Sequence, residues 1–319
     1  MEKHNRNKKY YIYFFLIFIF SLYFVYEAGF LDNLKFEKRE KPIPVSTLSD
    51  KDFSEMVNRL KLLAVKYPGN VGIYFKDLSS NREWSYNPDR IFPSASLIKV
   101  PIMASVLDKV KKDNIDLNLE LTLTKKDKRG GSGSLKWVRE GIKLSLLEIM
   151  YKMITESDNT ATYMLIDYFG YDYFEQEFKK LGLYYTSITP EGMSLTSGRV
   201  AKENFTTPRE MAYLFEKIYK KELIDKNSSE IMLEILKRTK SRSRLKKSLP
   251  RQWEMGHKTG LLRKSCHDVG IIFSPNGDYL LAVLTSNVPD YRSAKNFITK
   301  VGNIAAAYYK IQNSLDRNE

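Results

Sequence analysis

Cysteine and histidine are scarce in this sequence, with one Cys and three His among 319 residues. The single thiol, Cys266, cannot form a disulfide within the chain, which excludes a disulfide framework. No group of His, Cys, Asp and Glu has the spacing of a metal site, so we expect neither a metal nor a cofactor. Cys266 precedes His267, which leaves a Cys/His nucleophile as an alternative, but we favour a small core residue at the start of a strand.

Internal repeats and long low-complexity segments are also absent, and 43% of the residues are hydrophobic, enough for one large domain or two small ones. The net charge of +14 indicates an anionic partner. The densest basic run, residues 236–251, has no interleaved aromatic residues for stacking on bases, so we expect no nucleic-acid partner and interpret the run as a solvated face or loop. Anionic envelope polymers or lipid head groups fit the charge better.

One long apolar run is present, at residues 10–26, and several basic residues precede it. Extended to residue 31 it is long enough to cross a bilayer as a helix, and the basic flank predicts that the rest of the chain lies outside the cytoplasm. A cleaved signal peptide is the alternative, although small residues at a cleavage site are lacking. We therefore predict five segments. In chain order they are a cytoplasmic tail (1–9), a transmembrane signal-anchor (10–31), a linker (32–50), a globular domain (51–312) and a tail (313–319).

Within the globular domain, apolar periodicity predicts strands near both ends and helices between them. The strands are predicted at 71–75, 84–86, 253–259, 267–274 and 279–285. The helices are predicted at 53–65, 96–110, 144–154, 159–169, 173–181 and 294–309, with a further helix that begins at Thr206-Thr207-Pro208. This order predicts an antiparallel sheet built from both chain ends, with a helical block inserted.

Three short motifs follow one another along the chain: Ser96-Leu97-Ile98-Lys99, Ser157-Asp158-Asn159 and Lys258-Thr259-Gly260. Together they supply a nucleophile, bases, proton carriers and an anion-binding group, the equipment of a serine acyl-transfer enzyme without a catalytic histidine. A second Ser-x-x-Lys, residues 243–246, lies in the basic run and is attributed to chance.

The first motif has a physical rationale of its own. Ser96 would lie at the positive end of a helix, and Lys99, one turn along, would become a base if burial lowers its pKa. The alternative is a helix-capping serine and a solvated lysine. The apolar residues around Lys99 argue against it, because a lysine in a buried helix requires a reason.

With these motifs the chain resembles the class A serine β-lactamases and their penicillin-binding relatives over residues 51–312. The resemblance implies an α/β fold of the α+β type, in which an antiparallel sheet from both chain ends packs on a helical subdomain with the active site between them. It also implies that Ser96 is the nucleophile, that Lys99 is its base, and that Ser157 passes a proton to the leaving nitrogen.

The same resemblance implies the residues that bind substrate. Asn159 would bind the substrate amide and Lys99, whereas Lys258 and Thr259 would bind a substrate carboxylate. Gly260 would admit the substrate close to the strand. The oxyanion hole would consist of the backbone N–H groups of Ser96 and Leu261. We interpret Asp158 as structural and His257 as a packing residue.

Two departures from the family pattern concern deacylation and carboxylate binding. The family uses a glutamate, with an asparagine four residues later, to activate the hydrolytic water; here Glu191 has the matching position, but Leu195 replaces the asparagine. Glu191 is therefore a candidate catalytic residue, and a surface-loop glutamate is the alternative. On the strand after Lys258, where drug-hydrolysing members often have an arginine, Asp268 would repel a carboxylate if it faced the site. Arg263 and Arg292 are candidate substitutes.

Three functions remain open on the sequence. The first is an acyl hydrolase that opens β-lactams through a Ser96 acyl-enzyme, and the second is a membrane-anchored D,D-peptidase that acts on D-Ala-D-Ala stem peptides of the cell wall. The third is a non-enzyme, either a membrane-anchored penicillin sensor or a wall-binding module. It is the least favoured, because a sensor needs a cytoplasmic output domain. We expect a monomer in the bacterial cell membrane, with its catalytic domain outside the cytoplasm and a β-lactam or a stem peptide as its partner.

Overall fold

The computed structural model describes residues 49–193 and 202–310. Its strands, in chain order, are β1 (Asn70–Asp77), β2 (Glu83–Tyr86), β3 (Phe92–Pro93), β4 (Glu120–Thr122), β5 (Lys143–Ser145), β6 (Phe205–Thr206), β7 (Glu254–Leu262), β8 (Ser265–Ser274) and β9 (Gly277–Ser286). Five of them form an antiparallel sheet in the order β2-β1-β9-β8-β7. The sheet draws on both ends of the domain, so the predicted fold class is confirmed.

Most of the helices lie between the two halves of the sheet. The helices, in chain order, are α1 (Asp50–Val65), α2 (Lys99–Lys112), α3 (Leu146–Thr155), α4 (Asn159–Phe169), α5 (Tyr171–Lys180), α6 (Pro208–Tyr219), α7 (Lys226–Lys237), α8 (Leu245–Ser248) and α9 (Tyr291–Tyr308). Two of them begin with capping residues typical of helices. The Ser49 side chain caps α1, and Thr207 caps α6, which has Pro208 in its first turn.

The two faces of the sheet are covered by different helices. On one face Ile73, Phe75 and Val283 are buried in a cluster with side chains of α1 and α9. Successive residues of a strand face opposite sides. A Cβ at Gly72 would lie 2.5 Å from Pro208 Cγ, so α6 packs on the other face.

The register of the sheet places Lys258, the first residue of the third motif, on the face that α6 covers. Lys258 pairs with Val269, Val269 with Ala282, and Ala282 with Tyr74. Tyr74 is the residue after Ile73 on β1, so their side chains point to opposite faces of the sheet. Directly paired residues of an antiparallel sheet point to the same side. Lys258 therefore points towards the helical block, where the other two motifs lie.

The structure corrects the sequence interpretation at two elements. Helix α7 was not among the predicted helices, although Asp225 caps it and its buried residues Ile231, Met232 and Ile235 have helical spacing. The helix ends at Lys237, inside the basic run that begins at residue 236, so the sequence has no clear signal for its end. The second correction concerns the helix predicted from Ser96, because α2 begins only at Lys99.

The predicted signal-anchor (10–31) and the tail (313–319) lie outside the described residues, as does most of the linker (32–50). Over residues 49–193 and 202–310, none of the helices has both the length and the apolar character that a bilayer crossing requires.

Candidate active site

Ser96 lies in a single 3-10 turn, Ala95–Ile98, which joins β3 to α2 and is called here the Ser96 turn. Ala95 has a φ of +47°, a left-handed conformation that costs a non-glycine residue roughly 1–2 kcal/mol. The Leu97 N–H donates to the Ser94 carbonyl at 3.0 Å, and Leu97 and Ile98 are buried. Burial of Leu97 and Ile98 therefore stabilises the strained conformation of Ala95. Ser96, between them, is half-buried.

Lys99 begins α2 and is only 2% exposed. Its Nζ donates to the Ser157 carbonyl at 2.6 Å and to Asn159 Oδ1 at 2.7 Å. Removal from water lowers the pKa of Lys99 to about 7, and the negative charge of Asp158 opposes this shift. The expectation that Lys99 is buried, with a lowered pKa, is confirmed, and the solvated-lysine alternative is wrong.

The Ser157 hydroxyl lies between two buried lysines. Lys258 Nζ donates to Ser157 Oγ at 3.0 Å, and Lys99 Nζ lies 3.4 Å from the same oxygen. Ser157 has a φ of +55°, so the chain turns sharply before α4. Because its oxygen accepts from the two amino groups, the Ser157 hydroxyl can direct its own proton towards a third group.

One further positive charge, that of Arg244, acts on Lys258. Burial, followed by the charges of Lys99 and Arg244, lowers the pKa of Lys258 well below its usual range, while Asp268 opposes the shift. Arg244 is 5% exposed, and its Nε donates to Cys266 Sγ at 3.2 Å. Sequence reasoning missed Arg244, because it lies in the basic run that was interpreted as solvated. That interpretation is wrong at Arg244, since α8 turns the chain back into the core.

Asp158 anchors the second motif and is fully buried. Its carboxylate accepts from the Ala161 N–H at 3.0 Å, capping α4, and from the Leu135 N–H at 2.8 Å. A Cβ at Gly133, where φ is +101°, would lie 2.1 Å from Asp158 Cγ, so this close approach requires glycine. The structural role expected for Asp158 is confirmed, because its side chain caps α4.

Asn159 joins the second motif to the loop beside it. Its Oδ1 accepts from Lys99 Nζ, and its Nδ2 donates to the Gly130 carbonyl at 2.9 Å. The Asn159 N–H donates to the Ser132 carbonyl at 3.1 Å. The loop over residues 130–133 is therefore held by the same residue that contacts Lys99.

The third motif brings β7 against the Ser96 turn. A Cβ at Gly260 would lie 3.0 Å from the His267 ring, 3.2 Å from Ala95 Cβ and 3.3 Å from the Ser94 carbonyl. A side chain here would force its neighbours apart by a few tenths of an ångström, so glycine favours this close approach of the strand. The next residue, Leu261, is 45% exposed, and the preceding Thr259 is half-buried.

The motifs meet at a cavity of about 180 Å³. Ser96, Lys99, Asn159 and Leu261 line it, and Ser157 and Lys258 adjoin it through their hydrogen bonds to one another and to Lys99. Most of the site residues expected from sequence are thus brought together from three separate parts of the chain. Within the described residues, no three His, Cys, Asp or Glu side chains lie together as metal ligands.

Glu191 and the two candidate arginines do not line this cavity. Glu191 is exposed, although the next two residues, Gly192 and Met193, are in the cavity wall. Leu195 lies outside the described residues. Arg263 is exposed in the turn between β7 and β8, and Arg292 lines a separate cavity beside α1 and α9, so neither is placed as a partner for Lys258.

Asp268 does not present a free carboxylate to the cavity. It is fully buried, its Oδ1 lies 2.9 Å from His257 Nδ1, and its Oδ2 accepts from the Leu245 N–H at 3.1 Å. The neighbouring His267 donates from Nε2 to the Pro93 carbonyl at 2.7 Å, because its Nδ1 accepts from the Thr285 N–H. Cys266 is fully buried in the core cluster, so its favoured interpretation as a core residue is confirmed over a Cys/His nucleophile. Burial also raises the pKa of its thiol.

This chain is similar to β-lactamases over most of its length. A family model described as the beta-lactamase enzyme family matches residues 55–309. The β-lactamase of Bacillus licheniformis is 27% identical over 250 residues, which cover 76% of this chain and 79% of that protein. The β-lactamase of Sphaerobacter thermophilus has a solved structure that is 28% identical, with a TM-score of 0.73 over 81% of this chain and 98% of that one.

A second group of solved structures carries the name PBP-A. A PBP-A mutant determined as its acyl-enzyme complex with penicillin G is 28% identical, with a TM-score of 0.73 over 81% of this chain and 97% of that one. The family model covers far more than half of this chain, and it covers all three motifs of the cavity. This protein therefore belongs to the beta-lactamase enzyme family and is a serine β-lactamase-like hydrolase.

Proposed function

We propose that the protein hydrolyses β-lactams through an acyl-enzyme on Ser96, with Lys99 as base and Ser157 as proton carrier. The observation that carries this proposal is the pair of buried lysines on either side of the Ser157 hydroxyl. Two ammonium groups deprived of water cannot both keep their protons at low cost, so one of them is a base near neutral pH. We assign that role to Lys99, because Lys99 lines the cavity with Ser96 and Lys258 does not. Burial also lowers the pKa of Lys99 to about 7.

Acylation then follows a single proton route. Lys99 takes the proton of the Ser96 hydroxyl as the oxygen attacks the lactam carbonyl, and the N–H groups of Ser96 and Leu261 stabilise the oxyanion. The ring C–N bond breaks, and the nitrogen receives the proton of the Ser157 hydroxyl. The Ser157 oxygen stays stabilised by Lys258 and recovers a proton from Lys99, to which its hydrogen bonds connect it.

Substrate binding rests on the positive charge at the end of β7. Lys258 and Thr259 would bind a carboxylate, and the buried charge of Arg244 adds to the positive field that reaches Lys258. Asp268 is engaged by His257 and the Leu245 N–H, so the repulsion that its position in the sequence suggests is reduced. Asn159 would bind the amide of the substrate side chain. Anionic β-lactams fit these groups, and the curated relatives are named β-lactamases.

The D,D-peptidase alternative is not favoured, because the family match and the curated relatives are β-lactamases. The role of Glu191 in deacylation stays a prediction. Its side chain is exposed. The division of the chain into five segments and the monomeric state also stay predictions from sequence.

The acyl-enzyme is tested with a chromogenic cephalosporin and intact mass spectrometry on full-length protein. The unmodified chain should turn over the cephalosporin, and Ser96→Ala should abolish both turnover and any covalent adduct. Ser243→Ala, in the second Ser-x-x-Lys, is the matched control and should behave as the unmodified chain. A β-lactam adduct that persists in Ser96→Ala would refute the nucleophile assignment.

For residues 10–31 we propose an uncleaved signal-anchor, which rests on the sequence alone. Fractionation of bacteria that express the full chain should find the protein in the membrane pellet after a high-salt wash. A Phe15→Arg, Ile19→Arg double variant should leave that fraction. Mature protein that begins after residue 31 would show instead that the segment is a cleaved signal.

A further inference from the structure

A short strand pair places residue 203 beside the Ser96 turn. In the β3–β6 pair, Phe92 is opposite Thr206 and Pro93 is opposite Phe205. The pairing continues by one residue, because the Ser94 N–H donates to the Asn204 carbonyl at 2.7 Å. The chain before Asn204 therefore runs antiparallel to the chain after Ser94, and it meets the turn that carries Ser96.

The backbone at this point is held on both sides. Asn204 is 4% exposed, and its Oδ1 accepts from the Thr189 N–H at 2.8 Å. A Cβ at Gly192 would lie only 2.2 Å from the same oxygen, so the segment around Gly192 packs closely on Asn204. Because Asn204 is fixed by both β3 and this segment, the residue before it has little freedom to leave the cavity.

Glu203 is that residue, and it lines the same cavity as Ser96, Lys99 and Asn159. It is half-buried, and burial raises the pKa of its carboxyl group. A carboxylate that is partly removed from water is a stronger base than one in solution. No other acidic side chain lines this cavity among the residues that the structure describes.

Glu191, the glutamate that the family pattern singles out, has different surroundings. Its side chain is exposed, and it is outside the cavity wall. Burial raises the pKa of the Tyr171 phenol, and the negative charge of Glu191 is among the further causes. Glu191 therefore lies near Tyr171 at the start of α5 and outside the cavity, whereas Glu203 lines the cavity together with Ser96.

We propose that Glu203 activates the water that hydrolyses the Ser96 acyl-enzyme. Glu203 takes a proton from the water as the water oxygen bonds to the acyl carbonyl carbon. The ester bond between that carbon and Ser96 Oγ then breaks, and the proton held by Glu203 passes to Ser96 Oγ. The product leaves as a carboxylic acid, and both side chains return to their starting states. This inference rests on the proposed acylation of Ser96.

The test separates acylation from deacylation in single-turnover experiments on full-length protein with a chromogenic cephalosporin and intact mass. In Glu203→Gln, acylation should stay within about threefold of the unmodified rate, and deacylation should slow by about 10²-fold or more, so that the Ser96 adduct accumulates. Glu203→Asp, which keeps a shorter carboxylate, should fall between the two. Glu175→Gln, on the surface of α5, is the matched control for loss of a glutamate charge.

Glu191→Gln distinguishes this inference from the family pattern. Deacylation in Glu191→Gln should remain at least tenfold faster than in Glu203→Gln. The inference is overturned if Glu191→Gln accumulates the adduct and Glu203→Gln does not, or if both Glu203 variants deacylate at the unmodified rate. It is also overturned if Glu203→Gln slows both steps equally. Failure of the unmodified chain to form any adduct on Ser96 would refute the proposed function itself, a result distinct from the others.

Discussion

At the scale of single residues, the proposed chemistry depends on the removal of two lysines from water. Lys99 is 2% exposed and Lys258 is 1% exposed. In each case burial is the largest cause of the lowered pKa, and the charge of Lys99 adds to the effect on Lys258. Ser157 connects the two, so a change at one lysine should be felt at the other.

This arrangement predicts the pH dependence of acylation. Lys99 accepts a proton only when it is neutral, so the acylation rate should rise with pH through about 7, the pKa of Lys99. Lys99→Arg keeps the positive charge but cannot lose a proton near neutral pH. It should lower the acylation rate by about 10²-fold or more and abolish this rise. Stopped-flow acylation between pH 5.5 and about 9 measures both effects. A nearly unchanged rate in Lys99→Arg would show that another group takes the proton.

At the scale of elements, the Asp158 carboxylate caps α4 and also accepts a hydrogen bond from the Leu135 N–H. Asp158→Ala removes the cap of α4, worth about 0.5–2 kcal/mol, and leaves the Leu135 N–H without its acceptor, worth about 1–3 kcal/mol. Asp290→Ala removes only the cap of α9, in an exposed position. Urea unfolding should therefore give a larger loss of unfolding free energy for Asp158→Ala, by about 1–3 kcal/mol. Equal losses would contradict the second role of Asp158.

The contact between β8 and β3 predicts a pH dependence of stability. Burial lowers the pKa of His267 from 6.5 to about 4. Between these values the unfolded chain binds more protons than the folded one, so stability rises with pH and is lost as pH falls from about 6.5 towards 4. His267→Gln, which does not titrate, should be less sensitive by about 2 kcal/mol between pH 6.5 and about 5. Unfolding free energies of both chains at these two pH values test this; parallel losses would refute it.

At the scale of the whole molecule, the net charge of +14 gives the protein a positive field. Such a field raises the rate at which anionic ligands meet a protein, and salt screens it. The kcat/KM for an anionic cephalosporin should therefore fall several-fold between ionic strengths of about 0.02 and 0.5 M. The kcat/KM for an uncharged ester of the same compound is the control and should change little. An equal response of the two substrates would show that the field does not guide the substrate.

Much of the fold follows from local patterns. The strands near both chain ends and the helices α2 to α5 correspond to apolar runs with the period of a strand or a helix, so the antiparallel sheet with its inserted helical block was predicted. Helix α7 has the same signal, but its end merges with the basic run. Charge density was a poor guide to burial there, because a buried Arg244 and a solvated lysine are indistinguishable in composition.

The amino-acid sequence alone was enough to propose the reacting groups, because Ser96, Lys99, Ser157 and Lys258 stand in three motifs whose order is typical of serine acyl-transfer enzymes. Tertiary structure alone decided their protonation and their partners. Burial by residues far apart in the chain lowers the pKa values of both lysines, and the charges of Lys99 and Arg244 lower that of Lys258 further. The β3–β6 pair likewise brings Glu203 to the cavity, and pairing between strands more than a hundred residues apart leaves no local signal in either strand.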